Sequence, residues 1–469
     1  MSLHPFPTHI NLRGWQVRGR SAYHDAAQKN FLAYITPGGG KTIFALRVAH
    51  DLLDDGVARR VIVVVHTDHL RAQWNDVAEQ IGVPLEVLTY QQIAADPSGA
   101  AVTAAQRALV IFDEIHHAAD SQMWGDGVRF AFERAARRLL LTGTPFRHDS
   151  KRIPFLKYVK GVAQADFGYG YGEALRDGIV RPVYFPVISG SSTWKMGDVE
   201  ITGAFDDRLT QRDAARRLNA ALNPKGLWLA QSIRAAHERL LTVRQTHPDA
   251  GGLVVAVDQF SAKAVARVVA VDQFSAKAVA RVVARVTDTE PVIATSSIKD
   301  ASQRIADFRE SDRHWIVAVK MISEGVDIPR LRVGVYASNV VTELFFRQWV
   351  GRYVRVSPDL EEQSAYLYIP ADPRLVEYAS ALAEERLHVL REQAERRERE
   401  RGVINGNTSE PEFEAVSATA EINSVIVGSE SFSGDELLEA ERLKHTLGLG
   451  HLPNEAVAKI MRAMRERVL

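Results

Sequence analysis

The stretch FLAYITPGGGKTIFALRVAHDLL, residues 31–53, constrains the fold more than any other part of the chain. An apolar run ending near Ile35 reads as a strand, and an amphipathic pattern opening at Lys41 reads as a helix. Only the turn Thr36-Pro37-Gly38-Gly39-Gly40 separates them. A strand passed to a helix through so tight a turn starts a βαβ unit, whose strands pair parallel. Three successive glycines let the backbone curl until its N–H groups point inward, at a helix N-terminus whose dipole favours anions. Lys41 is then placed to reach the β and γ phosphates of a nucleotide, and Thr42 to give its hydroxyl to Mg²⁺. The pattern GxxxxGK[ST] is met from Gly40 onward, with Ile35 where its first glycine would stand.

A second stretch supplies carboxylates. ALVIFDEIHHAAD, residues 108–120, runs an apolar strand into Asp113 and Glu114, and open α/β sheets bind ligands at such strand ends. Phosphoryl transfer needs both groups: Asp113 to hold Mg²⁺ through water, Glu114 to orient and deprotonate the attacking water. His116 and His117 follow, but neighbouring histidines point in different directions and no third ligand lies nearby, so no zinc site is expected.

TPGGGKT, DEIH, LTGTPFR at 141–147, VKMISEGVDIP at 319–329 and QWVGRYVRV at 348–356 resemble motifs I, II, III, V and VI of the superfamily 2 helicases, in order and spacing. The resemblance covers roughly residues 10–370. YGYGEALRDGIVRPVYF, HPDAGGLVVAVDQ and the TGTP form of motif III are similar to the bacterial and phage branch related to the helicase subunit of type III restriction enzymes. It implies an α/β fold of two RecA-like parallel-sheet domains in tandem, facing each other across ATP, plus a helical C-terminal region.

The resemblance also implies roles. Arg352 and Arg355 become arginine fingers on the γ-phosphate, and a spacing of three on a helix would put both on one face. Gln16, in LRGWQ, is similar to the glutamine that reads adenine, with Trp15 packed beside the base. Gly325 and Asp327 match positions near the nucleotide. Thr142, Thr144 and Gln348 belong to the coupling motifs. HTDHLRAQW corresponds to motif Ia, which gives Thr67 and Arg71 as nucleic-acid contacts, although His66 stands where the family has proline.

Along the chain, the first domain is expected over residues 1–175, with strands near 31–35, 61–65, 109–113 and 139–142. A connector with a long helix near 224–246 fills 176–250, the second domain 251–372, and helices 373–469. SGDELLEAERLKHTLGLGHLPNEAVAKIMRAMRERVL reads as two helices able to take a protein partner. One feature is unlike the family: VVAVDQFSAKAVAR occurs twice without change, at 254–267 and 268–281. Both junctions suit a strand followed by a crossover helix. The surplus, about 261–274, is therefore expected to lengthen that helix, with a surface loop or an extra strand as alternatives.

Lys+Arg and Asp+Glu are both 58, so nucleic acid must be held in a local groove rather than on a basic face. There is no cysteine, which excludes disulfides, thiolate zinc and a cysteine nucleophile and fits a reducing compartment. No stretch approaches the roughly 20 apolar residues that span a bilayer. A location in the cytoplasm of a bacterial or phage-infected cell, with no membrane partner, is expected. The chain carries no PD…ExK or HNH-like nuclease signature. The leading expectation is an ATP- and Mg²⁺-dependent DNA helicase or double-strand DNA translocase. An RNA helicase, or an ATP-switched DNA-binding subunit that recruits a nuclease or recombination partner, are the alternatives.

Overall fold

The computed structural model describes residues 5–104, 107–119, 122–143, 153–160, 162–196, 199–256, 268–295, 298, 300–319, 328–357, 363–404 and 424–426, with single positions 440, 454 and 457. Two compact units divide the chain, Met1–Gly170 and Tyr171–Leu469.

The first unit runs α1 Gly14–Ala26, β1 Asn30–Ile35, α2 Lys41–Asp54, β2 Arg60–Val65, α3 Asp68–Ile81, β3 Glu86–Thr89, α4 Tyr90–Ala95, α5 Pro97–Ala104 and β4 Ala108–Phe112. A 3-10 turn Ile115–Ala119, α6 Gln122–Phe132, β5 Arg137–Thr142, β6 Tyr158–Val159, β7 Val162–Ala163 and β8 Phe167–Tyr169 complete it. Six strands pair in the order β3-β2-β4-β5-β1-β8, all parallel. Parallel strands are covered on both faces and so read as continuous apolar runs: every residue of β4 is buried, and all but the first of β2. The order decides where the chemistry lies. β4, β5 and β1 are neighbours, and their C-terminal ends deliver Asp113-Glu114, Thr142-Gly143 and the glycine turn to one edge of the sheet.

The second unit runs α7 Tyr171–Arg176, β9 Val183–Ile188, β10 Ser191–Met196, β11 Val199–Ala204, α8 Gln211–Ala221, α9 Leu227–Arg244, β12 Gly251–Ala256 and α10 Val268–Thr287. Then come β13 Val292–Ala294, α11 Ala301–Glu310, β14 Trp315–Ala318, β15 Leu331–Ala337, α12 Glu343–Val350, β16 Ala365–Pro370, α13 Pro373–Ile404 and β17 Ser424–Ile426. Its sheet has the order β13-β14-β12-β15-β16-β9-β17, parallel except for β17, which pairs antiparallel with β9. α9 buries Leu229, Ile233, Ala236 and Leu240 completely, the stripe a helix on a sheet requires. Among the described residues no helix is long and apolar enough to cross a membrane.

One segment does more than its pattern announced. The stretch 176–250, read as a connector, supplies β9 to the second sheet, paired with β16. Its polar part folds as the hairpin β10–β11, with Trp194 opposite Ile201. α10 begins at Val268, so residues 268–274 of the surplus are helical. Residues 257–267 lie outside the described residues. So does the C-terminal helix pair, apart from the single helical positions 440, 454 and 457.

Candidate active site

The glycine turn is a built cradle. Gly38 and Gly40 have φ of 80° and 99°, conformations that cost a residue with a Cβ. A methyl on Gly39 would lie 2.8 Å from Ile35 Cγ2 and 2.9 Å from Thr36 O, so Ile35, fully buried, fills the space beneath the loop. Helix α2 opens at Lys41 with Gly40 as its N-cap residue.

α1 fixes which way the turn faces. Trp15 Nε1 donates to Gly39 O at 3.0 Å, Gln16 Nε2 to Gly40 O at 3.0 Å, and Arg13 Nη1 to Gly39 O at 2.8 Å and Gly38 O at 3.3 Å. No described peptide is cis, and in a trans peptide the carbonyl and the next N–H point in opposite directions. With three carbonyls held by α1, the N–H groups of Gly40 and Lys41 turn to the other side, where an anion can meet them beside the helix dipole. Gln16 also accepts from Arg13 N at 2.8 Å. Trp15 differs from expectation: it is fully buried, stacked on Tyr169 at 4.8 Å and tilted against Phe44 at 5.4 Å. Its ring is therefore committed to the core and does not serve a base. Arg13 carried no family signal and emerged only from the contact.

The carboxylates face the loop. Lys41 Nζ forms an ion pair with Glu114 Oε1, while Gly143 N donates to Glu114 Oε2 at 2.9 Å. His116 Nδ1 lies 3.6 Å from the same oxygen. Glu114 has φ of 49°, a left-handed conformation sparsely populated by non-glycine residues and concentrated at functional sites. A methyl on Gly143 would lie 3.2 Å from Glu114 Oε1, 3.3 Å from Pro37 Cγ and 3.5 Å from Lys41 Nζ. A side chain there would have to push the ends of Glu114 and Pro37 aside by a few tenths of an ångström, so glycine lets the three segments converge without strain. Asp113, 7% exposed, accepts from Trp74 Nε1 at 2.9 Å. His66, His116 and His117 form a ring cluster, His66 on His117 at 4.1 Å, and no metal-holding group of His, Asp or Glu occurs among the described residues. Thr142 ends β5 and is buried. Thr42 is half-buried on the first turn of α2. Cradle, lysine, helix N-terminus and paired carboxylates together fit a nucleotide's phosphates and a Mg²⁺ ion.

Thr67 is the N-cap of α3, its hydroxyl accepting from Leu70 N at 3.3 Å. Arg71 pairs with Asp68 at 2.8 Å on the exposed side of the same helix.

In the second unit the two arginines do not share a helix face. α12, which carries Gln348, ends at Val350. Arg352 and Tyr353 continue in turn-type bonds, Arg352 N to Trp349 O at 3.1 Å and Tyr353 N to Val350 O at 2.9 Å. Arg355 is in extended backbone, bridged antiparallel to Val180. The reason is tertiary. Tyr353, fully buried, donates its hydroxyl to Leu253 O on β12 at 3.1 Å, and Arg181 N donates to Val354 O at 2.7 Å. Bonds a longer helix would have made within itself are made to the Val180–Arg181 segment. Arg181, 1% exposed, also sends Nη2 to Pro329 O at 2.7 Å and Nη1 to Leu331 O at 3.3 Å. It thus ties the end of GVDIP to the arginine segment. Burial, then the nearby Arg332, push its guanidinium below the ordinary value. The sequence names no catalytic residue in this stretch, since nothing local marks a buried arginine. Thr144, Gly325 and Asp327 lie outside the described residues.

The model of the family ResIII, "Type III restriction enzyme, res subunit", matches residues 9–147. The uncharacterized protein ML1624 of Mycobacterium leprae (strain TN) is 39% identical over 490 residues, 97% of this chain and 79% of that protein. The uncharacterized protein Rv2917 of Mycobacterium tuberculosis (strain H37Rv) is 40% identical over 493 residues, 97% of this chain and 78% of its own. Among solved structures, a fragment of an HsdR subunit assigned to a type I restriction enzyme from Vibrio vulnificus YJ016 shares the fold, with a TM-score of 0.55 and 18% identity over 80% of this chain and 66% of that one. With relatives of this identity aligned along nearly its whole length, and the ResIII model matching most of its first unit, the chain belongs to the superfamily 2 helicase-like proteins, in the family of ML1624 and Rv2917.

Proposed function

We propose that the protein is an ATP-dependent DNA helicase or double-strand DNA translocase. The observation that carries this reading is the meeting of Lys41, Glu114 and the Gly143 N–H at the ends of three neighbouring strands. Pro37, Gly38, Gly39, Gly40, Lys41 and Thr42 hold the phosphates of ATP, and Gln16 contacts the nucleotide. Asp113 and Thr42 hold Mg²⁺, which supplies charge to neutralise the phosphate oxygens. Phosphates arriving at Lys41 compete with Glu114 for its ammonium. Released, Glu114 takes a proton from the attacking water, while the Gly143 N–H reports its position to Thr142 and Thr144. Arg352 and Arg355 neutralise charge that develops in the transition state, with Gln348, Gly325 and Asp327 completing the second unit's part. Thr67 and Arg71 hold backbone phosphates of the nucleic acid, a contact without sequence preference. The description of the matched family model, a restriction enzyme subunit, favours DNA.

The test is ATP hydrolysis measured side by side with double-stranded DNA, single-stranded DNA and RNA, for wild type and Glu114→Gln. DNA is expected to stimulate the wild type, and Glu114→Gln to bind ATP while hydrolysing it about 10²- to 10⁴-fold more slowly. Stimulation by RNA alone would replace DNA with RNA in this reading. Hydrolysis by Glu114→Gln at the wild-type rate would overturn the site.

A further inference from the structure

Asp113 is held by more than its strand. Its N–H donates to Val64 O at 2.9 Å and its carbonyl accepts from Tyr90 Oη at 3.4 Å, so its peptide is fixed from β2 and α4. Its side chain receives Trp74 Nε1 on Oδ2 at 2.9 Å. Trp74 is 2% exposed and Asp113 7%, so water competes little for this bond, and an indole has no other donor to offer. A neutral N–H orients a carboxylate without cancelling its charge, as a lysine or arginine would. It also engages one oxygen and leaves the other. These are the properties wanted of a carboxylate that must hold a cation, and bonds from outside the coordination shell commonly set such ligands.

We infer that Trp74 is the positioning residue of the Mg²⁺-holding carboxylate: its indole N–H fixes Asp113 Oδ2 and presents Oδ1 to the metal or to the metal's water. The inference rests on the reading of Asp113 as the Mg²⁺-holding residue. Trp74 lies on α3, 39 positions from Asp113 in sequence, and neither residue signals the other in the sequence.

The experiment measures equilibrium ATP binding to the full chain in the Glu114→Gln background, with no turnover, across a Mg²⁺ titration and again in EDTA. Trp74→Phe keeps most of the buried ring and removes the donor. It is expected to raise the Mg²⁺ concentration at half-effect by about 10-fold or more, the range seen for lost outer-shell bonds, while ATP affinity in EDTA stays at the parent value. Asp113→Asn is expected to abolish the Mg²⁺ dependence, and Trp74→Phe added to it to change nothing further. If Trp74→Phe does not melt cooperatively, Trp74→Met, which has no hydrogen-bond donor, is titrated with the same two outcomes. A parent-like Mg²⁺ titration in the Trp74 variant, or an equal loss of affinity with and without Mg²⁺, overturns the inference while leaving Asp113 in place. Unchanged Mg²⁺ dependence in Asp113→Asn overturns the metal reading and the inference together.

Discussion

Asp51→Asn tests how α1 is held against the phosphate loop. Asp51, on α2 and 7% exposed, accepts from Arg20 Nη2 at 3.1 Å and His24 Nε2 at 3.2 Å on α1, and pairs with Arg47 Nη2 at 3.0 Å one turn back. Burial alone pushes its carboxyl up, but the hydrogen bonds from Arg20 and His24, with the charges of Arg47 and Arg20, outweigh it and hold the group below its ordinary 3.8. Asparagine keeps the shape and loses the charge. A hydrogen bond to a charged group contributes about 1.5–3 kcal/mol. The partner side chains are 38%, 32% and 24% exposed, and exposed pairs contribute only about 0.2–1 kcal/mol; a loss of about 1–2 kcal/mol follows. At about 2–4 °C per kcal/mol for a unit of this size, the melting temperature drops by about 2–8 °C. Since the folded group titrates below the unfolded one, its contribution is fully present above the unfolded value and is lost as pH falls through the folded value. The gap between wild type and variant, measured by thermal melts, should therefore be flat from about pH 7 to 5 and close only below about 3.8. ATP affinity should weaken as well, because Arg13, Trp15 and Gln16 ride on the same helix start. A variant as stable as wild type at neutral pH, or a gap that closes already between pH 7 and 5, refutes this account of α1.

Arg352→Ala and Arg355→Ala should each lower ATP turnover by about 10³-fold or more with a much smaller change in nucleotide affinity, since the charge they meet is greatest in the transition state; normal stimulated turnover in either variant removes that arginine from the role. Deleting residues 254–267 or 268–281 yields the same shortened chain, because the copies are identical. That chain should melt no lower than the full protein and keep its stimulated ATPase, and loss of either would show that the second copy has become part of the structure or the mechanism.

Much of the first unit was legible in local pattern. Apolar runs near 31–35, 61–65, 109–113 and 139–142 became β1, β2, β4 and β5 within a residue or two, because strands buried on both faces have no polar positions to blur them. The glycine turn, Lys41 and the Asp113-Glu114 pair declared themselves through residue types that such chemistry needs. What the sequence did not carry is which groups meet. Trp74 on Asp113, Arg13 on the glycine carbonyls and Arg181 on Val354, Pro329 and Leu331 are long-range contacts. The three-residue spacing of Arg352 and Arg355 was read as helical, yet the docking of Tyr353 and Val354 draws that segment out of α12.

The doubled stretch separates the two kinds of information most cleanly. Val254-Val255-Ala256 and Val268-Val269-Ala270 are the same tripeptide opening the same fourteen residues. The first is the end of β12, hydrogen-bonded in parallel register to β14 on one side and β15 on the other. The second is the first turn of α10. Local sequence set what both copies have in common, apolar and β-branched residues that suit a buried strand and tolerate a helix. The choice came from outside them. Strand bonds must be supplied by neighbours, and β14 and β15 flank one place in the sheet, which the first copy reaches directly from Gly251-Gly252. The second copy, with that place taken, gives its carbonyls hydrogen-bond partners from the following residues of its own segment, as a helix does.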